Sequence, residues 1–263
     1  MKRCWTICLS LLVLLATPCW SEPALSGSYV GAFVAAKQDF RKNPMEMNKI
    51  NLTIDSVEGS KVRGHSVVAG NNRPFSGTLT KKSDKYVIEA KEPGDDPYDG
   101  TFLFAVYPET GRVNGTWTSF DKSLAVTKRK YELERRTFKY DPNQSVEGMR
   151  MREIYDSYNP EMNKSESLTE DAWKYNASNT ELTTAIVENM YKRDLEVIRN
   201  TIYARHGYSF QNRQMRYIFD HTSWYMPVST DVTGQLTALE KKNIELLKRY
   251  ENHAANYYDR FGR

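Results

Sequence analysis

Cysteine is missing from almost the entire chain: the three present, Cys4, Cys8 and Cys19, all fall in the extreme amino-terminal stretch. The body of the protein therefore has no disulfide, no thiolate nucleophile and no cysteine-ligated metal, and it must be held together by packing alone. Histidine is also scarce, with four residues, and His65 and His253 have no ligand neighbours at metal spacing. Past the amino terminus no apolar run is long enough to hold the chain in a bilayer. Nor is one sign of charge in clear excess. Removal of Lys2 and Arg3 takes the formal charge from +4 to +2, too weak a polarisation for a nucleic-acid binder. The basic pairs in Lys128-Arg129-Lys130 and Arg135-Arg136 are split between two faces if that segment is a strand.

The amino terminus carries its own signal. Lys2-Arg3, the apolar run Trp5 to Ala16, and small residues at Cys19 and Ser21 compose a leader, 1–21, cut after Ser21. Lipidation at Cys19 is the lesser reading, because Pro18 stands where a small residue is wanted. The expectation is an exported protein, periplasmic or extracellular.

Residues 22–138 read as an antiparallel β domain. Eight short runs alternate apolar and polar residues, centred on Tyr29 to Phe33, Ile50 to Ile54, Val62 to Val68, Phe75 to Leu79, Tyr86 to Ala90, Phe102 to Tyr107, Val113 to Trp117 and Tyr131 to Leu133. Such a meander closes into a barrel or sandwich, resembling a lipocalin or avidin only in outline. Trp117, Phe33 and Phe102 are the walls of a cup if the interior is not filled. The loop from Glu92 to Gly100 gathers four carboxylates, but Pro97 interrupts any spacing an ion loop needs, so a polar hairpin connection is expected and no metal.

Residues 139–180 read as a linker with short helical pieces, and 181–263 as a small helical domain, making the chain α+β in two domains. The capping box Thr237-Ala238-Leu239-Glu240 opens the last helix, expected over 237–257. Another helix is expected over 194–206. Leu195, Ile198 and Ile202 form its apolar stripe, Asp194 is placed to cap it, Arg205 and His206 sit in its last turn, and Gly207 ends it.

The string Tyr203-Ala204-Arg205-His206-Gly207 resembles the signature of the YARHG domain, a family named after those five residues. Trp224-Tyr225-Met226-Pro227 and Leu239 to Ile244 follow in the family's order, so the resemblance covers roughly 182–251. It implies an exported bacterial protein with a small helical module and no established activity or catalytic residues.

No Gly-x-Ser-x-Gly elbow, His-Glu-x-x-His pair, glycine-rich phosphate loop or cysteine nucleophile points to catalysis, and no cofactor is implied. The reading is a binding or interaction module of the cell envelope. Arg205 and His206, among the aromatics Tyr203, Tyr208, Trp224 and Tyr225, are the expected contact surface for peptidoglycan, an envelope glycan or another envelope protein. Two alternatives stand beside it: an envelope hydrolase using His206 with carboxylates, and a carrier of a small apolar molecule in the β domain.

Overall fold

Period-two alternation builds the first half. In the computed structural model, which describes residues 25–146, 163, 165 and 167–257, all eight expected runs are strands. They are β1 (Gly27–Gln38), β2 (Met47–Glu58), β3 (Lys61–Val68), β4 (Asn71–Lys81), β5 (Tyr86–Lys91), β6 (Gly100–Tyr107), β7 (Arg112–Ser119) and β8 (Val126–Arg135). Each pairs antiparallel with the next, and β1 pairs with β8, so the sheet closes into a barrel. The leader 1–21, with its three cysteines, lies outside the described residues, as does part of the expected linker.

Inward side chains divide the barrel into unlike ends. At the end where β1 begins, Tyr29, Ile54, Val62, Ile88, Val106 and Leu133 pack into a dry plug, each almost fully buried. Glycines let the strands come together there: at Gly64 a Cβ would stand 2.2 Å from the Thr53 carbonyl oxygen and 2.4 Å from the Phe75 ring. At the opposite mouth the same inward register carries Asn48, Ser66, Arg73, Glu92 and Arg129, with Phe33, Phe102 and Trp117 beneath them.

The second half is helical: α1 (Asp171–Lys174), α2 (Thr184–Val187), α3 (Lys192–Arg205), α4 (Arg213–Phe219) and α5 (Ala238–Tyr257). The apolar stripe of α3 packs on α5 through Leu195, Ile198, Ile202, Ile244 and Leu247. On its other side a second cluster gathers Phe210, Met215, Ile218, Phe219 and Tyr225. The Thr237 capping box forms, with Glu240 N donating to Thr237 Oγ1 at 3.1 Å and Thr237 N to Glu240 Oε2 at 2.9 Å.

Part of the expected linker does more than join the halves. Leaving β8, the chain lays Tyr140 against the helical domain, where its hydroxyl donates to Glu240 Oε1 at 3.0 Å, and buries Val146 in the α3–α4 cluster. Asn176 Nδ2 ties this segment to residues beyond it by donating to Pro142 O at 2.8 Å. The sequence hid this because the segment is polar. It is fixed by side-chain hydrogen bonds rather than by an apolar stripe.

The helical domain rests on the barrel's β2 flank and reaches over the polar mouth. Lys49 and Asn51 point outward from β2, opposite in phase to Ile50 and Leu52, and are nevertheless buried. Lys49 Nζ donates to Thr222 O. At the mouth, Gly70 N donates to Ser209 Oγ at 2.9 Å, Arg213 Nη2 to Asn43 O at 2.9 Å, and Arg216 Nη1 to Asn48 Oδ1 at 3.1 Å.

Candidate functional site

The Tyr203 to Gly207 string closes α3 with a Schellman turn. Gly207 has φ +75°, its N–H reaches Ala204 O at 2.9 Å, and Tyr208 N reaches Tyr203 O at 3.0 Å. Asp194 is not the cap the sequence pointed to. The helix begins at Lys192 with Tyr191 as N-cap, which puts Asp194 inside the first turn. Its carboxylate, fully buried, accepts from Thr169 N at 3.0 Å and Thr169 Oγ1 at 2.5 Å. It thereby clamps the stretch before α1 to α3, where a negative charge also suits the helix dipole.

The expected cationic contact surface does not form, because Arg205 and His206 are both buried and committed to internal partners. The Arg205 guanidinium donates twice to Gln144 O, at 2.9 and 2.6 Å, and to Asn176 Oδ1 at 2.7 Å and Ser178 Oγ at 3.0 Å. Burial lowers its pKa to about 10. His206 Nε2 lies 2.8 Å from Glu240 Oε2, and its ring stacks on Tyr140 with centroids 4.3 Å apart. Burial works to raise the Glu240 pKa, but hydrogen bonds from Thr237 N and His206 outweigh it and hold the carboxyl below its ordinary range. With His206 4% exposed, the imidazole offers no open face of the kind the hydrolase reading requires.

The four aromatics of that expected surface also part company. Tyr225 is core, its hydroxyl donating to Tyr208 O at 2.6 Å. Trp224 is half-buried with Nε1 donating to Ser145 O at 2.7 Å. Tyr203 and Tyr208 are half-buried neighbours, ring centroids 5.9 Å apart, on a different side. Arg205 and Trp224 do share the wall of a shallow depression with Arg136 and Tyr140.

The better site is the polar mouth of the barrel, where a cavity of about 560 Å³ lies between the strands and α4. Its floor is Phe33, Phe102 and Trp117, the three walls expected from the sequence, with Phe33 and Trp117 edge to face at 5.9 Å. Its basic members are Lys42, Arg73, Arg129, Arg213 and Arg216, and Glu92 is the acidic one among the described lining residues. Arg73 is balanced by Asp96 and Asp99, at 3.0 and 3.2 Å. Arg129 is held by neutral oxygens, donating to Phe33 O at 2.8 Å and Met45 O at 3.0 Å. Burial, then the neighbouring Arg216, lowers its pKa to about 10, while Asp220 works the other way. Glu92 accepts from Gly100 N at 2.8 Å and Trp117 Nε1 at 2.9 Å, yet burial still raises its carboxyl to about 7. Among the described residues no group of side chains is arranged to hold a metal ion.

Arg129, Ser66 and Glu92 are not among the site residues expected from the sequence, where Lys128-Arg129-Lys130 stood only as basic residues split between two faces of a strand. The signal was present in the register. Arg129 is in phase with inward Tyr131 and Leu133, Ser66 with Val62 and Gly64, and Glu92 with Tyr86, Ile88 and Ala90. Arg213 and Arg216 carried no such signal, because their place over the mouth depends on how the two halves dock.

A closed barrel with one dry end and one polar mouth, roofed by a small helical module, defines the architecture as a lidded cup. The lid carries a recognisable signature: residues 169–252 match the YARHG domain. The match opens ahead of the expected 182 and takes in α1. No curated protein matches the chain.

Proposed function

We propose that this protein is an exported, non-catalytic binding module of the cell envelope, whose ligand is a small molecule held in the cavity between the barrel mouth and the YARHG domain. The observation that carries the reading is the cavity itself. It joins an aromatic floor to a polar rim supplied by both halves of the chain, the usual composition of a small-molecule site. Export is supported by the leader pattern of residues 1–21 and by the extracellular character of YARHG domains. Of the earlier alternatives, a carrier for a purely apolar molecule fits the floor but not the rim.

Titration with the neutral fluorophore N-phenyl-1-naphthylamine tests the cavity. A saturable, one-to-one rise in fluorescence is expected, lost in Ser66→Phe, which fills the mouth from an inward position, while that variant keeps a cooperative melt. Binding that is unchanged in folded Ser66→Phe would place the probe elsewhere and remove the basis for the proposal.

A further inference from the structure

The polar groups of the cavity specify a ligand class, and the argument rests on reading that cavity as the binding site. The apolar body is selected by Phe33, Phe102 and Trp117, three flat surfaces at the floor. The rim above them is cationic. Arg129 projects from the start of β8, and Arg213 and Arg216 from α4 of the YARHG domain, so three guanidiniums from two domains line one cavity. Arg129 donates to the neutral oxygens Phe33 O, Glu46 O and Met45 O, while Arg213 Nη2 reaches Asn43 O and Arg216 Nη1 reaches Asn48 Oδ1. Asp220, buried at the end of α4 and outside the cavity lining, is shared electrostatically among Lys49, Arg129 and Arg216. The lining carboxyl, Glu92, has its Oε2 engaged by Gly100 and Trp117 and is raised to about 7 by burial, so it opposes the arginines only in part.

A second observation points the same way. Ser66, 1% exposed, lines the cavity, and its Oγ finds no hydrogen-bond partner among the described residues. Deeper in the barrel the buried Tyr131 hydroxyl is likewise unpartnered, and its ring lies 5.7 Å from Phe33 and 6.3 Å from Phe102. Buried hydroxyls without acceptors are costly unless something polar meets them. Guanidiniums bind carboxylate and phosphate oxygens by paired charge-assisted hydrogen bonds, which a neutral polar group does not reproduce.

We propose that the ligand is a small amphipathic anion, its carboxylate or phosphate lodged against Arg129, Arg213 and Arg216 and its apolar body on Phe33, Phe102 and Trp117. The acid group then bridges the barrel and the YARHG domain.

N-phenyl-1-naphthylamine and its 8-sulfonate share one apolar body and differ by one anion, so their affinity ratio isolates the head group. In the intact protein the sulfonate is expected to bind at least tenfold more tightly. Arg213→Gln with Arg216→Gln is expected to erase that preference, and the exposed Lys82→Gln is expected to preserve it. Octanoate and octyl phosphate, competed separately against the sulfonate with octanol as the neutral control, tell which oxyanion is favoured. Equal affinity for the two probes, a preference indifferent to the arginine pair, or one lost in Lys82→Gln would overturn the anionic assignment while leaving the cavity reading intact. Failure of both probes to bind would overturn the cavity reading itself.

Discussion

At position 207 the backbone requires glycine twice over. Its φ of +75° strains any L side chain, and a Cβ there would meet Val228 Cγ2 at 2.4 Å and Phe138 Cε2 at 2.9 Å. Gly207→Ala is therefore expected to cost about 2 kcal/mol or more, read as a lowered denaturation midpoint. Glu92 carries a pH dependence. Burial raises its folded-state pKa to about 7, above the ordinary carboxylate value of 4.5, so its stabilising contribution is present at low pH and is lost as pH rises through 7. Glu92→Gln, permanently neutral, is expected to match the parent at pH 4 to 5 and exceed it by about 2 kcal/mol at pH 8. Part of the downward slope should survive in that variant, because burial raises Asp220 to about 7 in the same direction. Chemical denaturation across that range checks both statements. Much of this was open to sequence reading, since Gly207 ends an apolar stripe and Glu92 continues one. The burial of Arg205 and His206 was not, because a polar segment with no periodicity supplies their cover.

The elements differ in how plainly they announce themselves. Strand positions were visible because one buried face repeats at period two through eight runs, and the capping box located the start of α5 in advance. The start of α3 slipped because an acidic residue suits either an N-cap or a first turn, and only the contact with Thr169 decides between them. Arg205 shows what α3 does besides packing. Its guanidinium fastens residues 144, 176 and 178 to the helix end, so it works as a rivet for chain that has little apolar surface of its own. Arg205→Ala is expected to destabilise the protein by about 3 kcal/mol, since buried acceptors lose a charged donor. Binding of N-phenyl-1-naphthylamine should be unchanged at temperatures where the variant is folded. A loss of probe affinity in step with a normal melting temperature would instead return Arg205 to the binding machinery.

For the molecule as a unit, the docking of the two halves is what no periodicity foretells. It rests on polar contacts such as Lys49 to Thr222 and Arg136 Nη1 to Ser223 O, and on covered outward residues of β2. A specific protease site placed between 147 and 160, once cut, is expected to leave the amino- and carboxy-terminal fragments co-eluting in size-exclusion chromatography and still binding the neutral probe. Fragments that separate on dilution would show that the chain connection, not the contact, holds the lid in place.

The pairing of the first strand with the last bears on how such a chain comes to be folded at all. Tyr29 lies against Arg135 and Phe33 against Tyr131, so the ring cannot be closed until the entire first half is available at once. Contacts so distant along the chain make closure slow compared with helix formation. On the proposed route of export that delay is useful, since a barrel unable to close early stays threadable through a secretion channel and completes itself on the far side. Once closed, it has no open sheet edge to offer another strand, a safeguard for a chain that has no cysteine beyond residue 19.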